Sequence, residues 1–180
     1  MRIAAIKYRA GEAEKIDAML CGLAGRLRRE GYKLAGSIQW NKGAESGYHC
    51  DMDFEDLASG RRLRGSIDQA CPTEGCRLDS SALEDAAGLV AASIAPGIDL
   101  VIINRYGKQE VQGRGFRQAI AAAIAQDLPV LTVLNKVHDG SFAAFTGEAA
   151  TELPPTLEAI EDWCRALLPN VPLPKGFGEA

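Results

Sequence analysis

The sequence predicts a three-layer α/β domain built on an open parallel sheet, with one antiparallel hairpin inserted into it. Three observations carry this. Apolar runs of strand length recur at Ile3-Ala4-Ala5-Ile6, Leu100-Val101-Ile102-Ile103 and Pro129–Leu134, the pattern of strands covered on both faces. Segments with apolar residues at helical spacing lie between them, as βαβ units require. From Asn41 to Leu78 the pattern changes to polar, glycine-containing sequence with two short strand-like stretches.

The elements follow in order. Arg2–Tyr8 reads as a buried strand, and Gly11 breaks the chain after it. Ile16, Met19, Leu20, Leu23, Ala24 and Leu27 form one apolar stripe, which predicts a helix from Glu12 to Glu30 stopped by Gly31. Leu34–Trp40 is a second strand. Tyr48–Leu57 and Arg61–Ile67 flank Ala58-Ser59-Gly60, a hairpin signal placed at the sheet edge or over its top. Ser81-Ala82-Leu83-Glu84 matches a capping box, so a helix is expected from Ser81 to Ala95, ended by Pro96-Gly97. After the Leu100–Ile103 strand comes a polar, cationic loop, then a helix from Phe116 to Gln126 and the Pro129–Leu134 strand. A loop through Gly140 and Gly147 leads to a last helix, Pro155–Leu168, with Leu157, Ile160, Cys164, Leu167 and Leu168 inward. The expected organisation is one domain over residues 1–168, with residues 41–79 as the hairpin excursion and 169–180 as a tail.

Composition bounds the function classes. The 180 residues suit one domain, and 47% apolar with 24% charged residues excludes a disordered chain. A net charge of −4 argues against general nucleic-acid or anionic-membrane binding, so any basic site is local. No apolar run reaches the roughly 18 residues of a membrane span, and the first residues are too short an apolar stretch for a signal peptide. The expected location is cytoplasmic. Five cysteines, an odd number, argue against a disulfide framework there. Cys21 and Cys164 fall on apolar helix faces as small core residues.

Ligands of open parallel sheets bind beyond the carboxyl ends of the strands. The loop leaving the Leu100–Ile103 strand, residues 104–115, is the most informative. It holds Asn104, Arg105, Lys108 and Arg114, with Arg117 one turn into the next helix. Gly113 and Gly115 would let backbone approach a ligand, and Arg114 and Gly115 would sit at a helix N-terminus that favours an anion. The plainer alternative is a solvated loop whose charges pair with Glu110 and its neighbours.

Nucleotide hydrolysis reads poorly. A phosphate loop needs G-x-x-x-x-G-K-[ST]. Aligning Lys15 with its lysine puts Arg9 and Glu14 at the glycines and Ile16 at the hydroxyl, with Glu12 also facing the phosphates. Two carboxylates there repel a triphosphate. A magnesium-binding acid should end the apolar strand, but Asn104-Arg105 stand there, and Asp99 precedes the strand at its wrong end.

His49 and Cys50, with Cys71 and Cys76, are weak metal-ligand candidates. The C-x₄-C spacing is loose for zinc, and adjacent strand residues face opposite ways. The alternative is small half-buried thiols. Arg77 could join the cationic set. His138-Asp139 could act as a base pair, but no nucleophile stands at a fixed relation to it, which favours a surface loop histidine.

Asp99-Leu100-Val101-Ile102-Ile103-Asn104-Arg105-Tyr106-Gly107-Lys108-Gln109-Glu110 resembles the strand-end segment of the THEP-type nucleoside triphosphatases. Gly107, Lys108 and Glu110 match it, while Asn104 and Arg105 replace its two acids. Asp56-Leu57-Ala58-Ser59-Gly60-Arg61-Arg62 resembles that family's hairpin. A fuller resemblance is to an uncharacterised bacterial family related to those enzymes, often encoded near molybdate-transport genes. It rests on Cys50-Asp51-Met52-Asp53, Gly75-Cys76-Arg77-Leu78-Asp79, and Gly107-Lys108-Gln109-Glu110 with Gly113-Arg114-Gly115, and it runs from Arg2 to Leu168. The resemblance implies a P-loop-NTPase-like fold and a role in molybdenum handling, without a known reaction. Three readings follow. The first is a non-hydrolysing protein that binds an oxyanion or a phosphorylated ligand, molybdate or a molybdenum-cofactor species. The second is a nucleoside triphosphatase with a non-standard phosphate site. The third is an adaptor or sensor with a molybdenum-enzyme or transport partner.

Overall fold

The computed structural model describes residues 1–9, 11–42, 51–66 and 78–169. In chain order the elements are β1 (Ile3–Tyr8), α1 (Ala13–Arg29), β2 (Leu34–Lys42), β3 (Asp51–Asp56), β4 (Arg62–Arg64), α2 (Ser80–Ser93), β5 (Leu100–Tyr106), α3 (Lys108–Val111), α4 (Arg117–Ala125), β6 (Val130–Asn135), a 3₁₀ turn (Lys136–His138), α5 (Asp139–Thr146), β7 (Thr151–Leu153) and α6 (Leu157–Leu167). They form one seven-stranded sheet in the order β4-β3-β2-β5-β6-β1-β7. The five strands from β2 to β7 pair in parallel. β3 and β4 extend the β2 edge as an antiparallel hairpin.

Both faces of the sheet are covered, which is why its central strands are apolar without alternation. Leu100 and Ile102 face a core with Ile16, Leu20 and Leu23 of α1 and Ile160 and Cys164 of α6. Val101 and Ile103 face the other core with Leu83 and Val90 of α2, Ala119 and Ile120 of α4, and Phe142 of α5. Because β1, β2, β5 and β6 run the same way, Tyr8, Tyr106 and Asn135 end on one rim.

Two local irregularities shape that rim. Gly36 in β2 has φ +112°, and a Cβ there would stand 2.0 Å from the carbonyl oxygen of Ile102. Only glycine allows β2 to lie this close to β5. In β5 the register slips: Ile103 faces Thr132, and Tyr106 faces Leu134. Three residue steps on β5 match two on β6, a bulge that re-aims the side chains beyond it.

Several expectations need correction. Asp79, rather than Ser81, caps α2, accepting from the Ser81 amide at 2.9 Å and the Ala82 amide at 3.4 Å. Residues 104–115 are not one loop, because β5 continues to Tyr106 and α3 follows. The loop expected through Gly140 contains α5, closed by Gly147 at φ +60°, and β7 beyond it. α5 begins on Asp139-Gly140, which disguised it, although Phe142 and Thr146 sit one turn apart on its buried side. Leu157 is 42% exposed and not part of the inner stripe of α6. The hairpin forms at the sheet edge, with shorter strands than expected. Residues 43–50, 67–77 and 170–180, including His49, Cys50, Cys71, Cys76, Arg77 and most of the expected tail, lie outside the described residues. No described helix is long and apolar enough to cross a membrane.

Gly36→Ala is expected to destabilise the fold by about 3 kcal/mol or more, combining left-handed strain with a backbone collision. Urea unfolding of the variant checks this. A change below about 1 kcal/mol would mean that β2 can move away from β5 freely.

Candidate functional site

The bulge in β5 lets Asn104 and Arg105, although adjacent, both reach Asp17 of α1. Asn104 Nδ2 donates to Asp17 Oδ1 at 3.2 Å. Arg105 Nη2 donates to both Asp17 oxygens, at 3.0 and 2.8 Å, and its Nη1 donates to the Tyr8 hydroxyl at 2.9 Å. Asp17 is 5% exposed. It is a charged residue set within the apolar stripe of α1, and a buried carboxylate of this kind demands such partners. Arg105 is thus neutralised at short range. This corrects the expectation of Arg105 as a free anion ligand.

The loop after β1 is closed in a similar way. The Arg9 amide donates to Glu12 Oε2 at 2.7 Å, and the Glu12 amide donates to the Arg9 carbonyl at 3.2 Å. Gly11, at φ +90°, makes the turn into α1. A carboxylate therefore holds a backbone N–H at the entrance to this helix.

Glu110 organises the next stretch. It is buried, with Oε2 accepting from the Gly107 amide at 2.8 Å and Oε1 from the Phe116 amide at 3.0 Å. The Gly115 amide donates to Glu84 Oε1 at 2.8 Å. Gly115 has φ +57°, and a Cβ on it would lie 2.3 Å from Glu110 Oε1. Protein carboxylates thus occupy the Gly115 and Phe116 amides just ahead of α4, so Gly115 serves packing rather than ligand approach. This corrects the expected anion site at that terminus. Gly113, at φ +82°, is a turn residue with open space around it. Arg114 is exposed and its guanidinium meets Gln112 Oε1 at 3.2 Å. Arg117 donates to the Tyr106 hydroxyl at 2.7 Å and the Glu110 carbonyl at 3.2 Å, and stacks over the Phe145 ring at 4.1 Å.

Of the expected cluster, Asn104, Arg105 and Lys108 line one crevice, and Gly113, Arg114 and Gly115 lie outside it. The crevice has a volume of about 510 Å³ and lies over the middle of β2 and β3, between α2 and the turn after β5, and so adjoins the carboxyl end of β5, where ligands of this architecture bind. Met52, Phe54, Leu78, Leu83 and Phe116 supply its apolar walls, with Ser37, Gln39, Lys108 and Gln109 as polar lining. Phe54 and Phe116 pack edge to face, with centroids 6.1 Å apart. Lys108 is exposed and makes no ion pair among the described residues. Among the described residues, the hydroxyl of Ser37, a residue 1% exposed, and Oδ1 of Asn104, 5% exposed, have no hydrogen-bond partner.

Sequence reasoning missed Asp17, Ser37, Gln39 and the aromatic walls. A signal was present. Ala35, Ser37 and Gln39 share one face of a strand buried on both sides, and polar residues there need a reason. A second hollow of about 500 Å³ lies on the rim by β1 and β7, lined by Lys7, Arg9, Glu12, Lys136 and Glu152. Lys7 is already paired with Asp139 at 3.0 Å and with Glu152. Asp139 therefore serves Lys7, and no bond joins it to His138. Among the described residues no group of three His, Cys, Asp or Glu side chains is placed to hold a metal ion. Burial pushes the thiols of Cys21 and Cys164 up to about 11 and about 12, which suits core residues rather than nucleophiles.

Burial raises the Glu110 pKa above its usual 4.5, against the lowering effect of the amides it accepts from, and Glu84 adds to the rise. A raised carboxyl pKa means that the native state holds the proton longer than the unfolded chain. Its contribution is complete below 4.5 and declines as the pH rises through the raised value. Glu110→Gln removes this slope. The stability gap between the native protein and the variant is therefore expected to narrow as pH increases from 4.5. Urea titrations at pH 4 to 7 check this, and a widening gap would contradict it. Glu110→Ala, which strips both acceptors, is expected to cost about 3 kcal/mol.

With this geometry in hand, the relatives can be placed. A human cancer-related nucleoside triphosphatase, whose solution structure is known, superposes with a TM-score of 0.62 at 16% identity, covering 92% of this chain and 95% of that one. That likeness shows the fold alone, a P-loop-NTPase-like architecture. The molybdenum import ATP-binding protein ModC 2 of Bradyrhizobium diazoefficiens is 37% identical over 164 residues, 91% of this chain. The match spans 18% of that relative's length. The model of the family described as "Protein of unknown function (DUF2478)" matches residues 3–163, and the chain belongs to that family.

Proposed function

We propose that the protein is a non-hydrolysing ligand-binding module that takes an oxyanion or a phosphorylated ligand in the β2/β5 crevice and serves molybdenum handling. The observation that carries this is Lys108, an unpaired cation among the described residues, at the mouth of a crevice about 510 Å³ in volume. That size falls in the range of about 300–1,000 Å³ typical of small-molecule sites. Arg105 and Asn104 support the crevice from behind by their bonds to Asp17, rather than by contributing free charge.

The rim argues against hydrolysis. Phosphoryl transfer needs a metal ion held by acids and an amide cradle for the phosphates. At the end of β5 an arginine and an amide stand in place of acids. The nearest buried carboxylate, Asp17, is bonded to both. At the start of α1, Glu12 already holds the Arg9 amide. Magnesium and a triphosphate do not fit these residues.

The molybdenum assignment is supported by the relative named as a molybdenum importer's ATP-binding protein. It also favours a partner. A stretch similar to this chain forms part of a longer protein of that name, so the module's place is beside the ATP-binding component of such an importer, reporting ligand to it. In this reading the sensing and binding roles are one.

Calorimetry with molybdate, tungstate, sulfate and ATP, with and without magnesium, tests the proposal. Binding of at least one anion is expected, weakened about tenfold or more in Lys108→Ala, as for loss of one charge-assisted contact. Phosphate release from ATP is expected to stay at background. Absence of binding to any anion would refute the reading. Magnesium-dependent hydrolysis lost in Lys108→Ala would replace it with an enzyme.

A further inference from the structure

We infer that the crevice is shaped for a flat, N–H-bearing heteroaromatic ring carrying a phosphate, rather than for a bare tetrahedral anion. The inference rests on the proposed binding role and names its ligand class. A tetrahedral oxyanion is recognised by several converging cations and amides. Among the described residues this crevice offers one unpaired cation, Lys108, and the neighbouring amides of Gly107, Gly115 and Phe116 are held by Glu110 and Glu84. Its walls are apolar instead, with Phe54 and Phe116 set edge to face and Met52, Leu78 and Leu83 around them. Such walls gain by covering a ring. An inorganic anion would lose hydration against them without repayment.

The polar groups at depth give the second, independent sign. Ser37 and Asn104 both line the crevice, and among the described residues the Ser37 hydroxyl and Asn104 Oδ1 lack partners. Buried polar atoms of this kind are uncommon and call for an explanation. Asn104 is oriented by its own Nδ2, which donates to Asp17 at 3.2 Å. Its carbonyl oxygen is thereby left as an acceptor, fixed in place. Both atoms are closed off from solvent, and a hydroxyl and an amide oxygen behind the inner wall suit a ring edge with N–H groups. Lys108 and Gln109 at the outer end suit a phosphate. A purine nucleotide and a phosphorylated pterin share this chemistry.

The test is a calorimetric series on the native chain with guanosine 5′-monophosphate, a pterin monophosphate, guanosine, ribose 5-phosphate and molybdate. One of the two phosphorylated rings is expected to bind at least tenfold more tightly than guanosine, ribose 5-phosphate or molybdate, and the preferred ring identifies the source. Ser37→Ala deletes an unpartnered hydroxyl, so its unliganded stability is expected to be unchanged or slightly higher, while affinity for the preferred ring falls about tenfold. Lys108→Ala is expected to weaken the phosphorylated ring and leave guanosine unaffected. Molybdate or ribose 5-phosphate binding as tightly as the rings would overturn this inference and leave the anion-binding role standing. Equal binding of guanosine and its monophosphate, or full affinity in Ser37→Ala, would also overturn it. Failure of every compound, molybdate included, would remove the binding role itself.

Discussion

The rim of the sheet depends on one ion pair, Asp17 with Arg105. It joins α1 to the end of β5, and it exists because a bulge gives β5 one extra residue. Without the bulge, Asn104 and Arg105 would face opposite sides, and only one could meet Asp17. With it, both do, and Tyr106 still reaches the core beside Phe142 and Phe145. Loss of either partner would leave a largely buried charge uncompensated, at a cost of order 3 kcal/mol. In a nucleotide hydrolase this part of the fold must present negative charge to magnesium. Here the negative charge is on the helix, and the strand supplies its counter-ion.

The same economy recurs along residues 107–117. Glu110 closes the stretch from Gly107 to Phe116 by accepting from both amides, and Gly115 is held to glycine by the room that carboxylate needs. Arg117 is consumed by Tyr106, the Glu110 carbonyl and Phe145. A sequence that looks like a cationic loop folds as a self-satisfied turn with Lys108 projecting from it. The free surface that remains lies beside it, in the apolar crevice between β2, β3, α2 and α3. Function is accordingly expected where the protein has not already answered its own charges.

Much of the fold was legible because its signals are local and strong. The apolar runs of β1, β5 and β6 and the stripe of α1 leave few alternatives, and the strand-to-helix order enforces a parallel sheet. The hairpin was visible through Gly60. α5 and β7 were not, since a helix starting on Asp139-Gly140 and a three-residue strand carry little pattern of their own. The site was legible only in part. Lys108 and Asn104 were marked because they follow the apolar run of β5, and both line the crevice. Arg105 was marked as a free cation, whereas it pairs with Asp17, 88 residues away in sequence, and nothing local reveals that pairing. Gly113, Arg114 and Gly115 looked like a phosphate-binding stretch. Glu110 and Glu84 pre-empt that role through contacts that only the folded chain creates.

On the proposed function, ligand enters at the crevice beside β2 and β5 and not at the turn between β1 and α1. Backbone amide NMR of the labelled protein, titrated separately with guanosine 5′-monophosphate and with magnesium ATP, tests it most directly. The resonances expected to move belong to Ser37, Gln39, Phe54, Lys108 and Gln109, with Gly11 to Asp17 undisturbed. Magnesium ATP shifting Gly11 to Asp17, with the crevice silent, would contradict it.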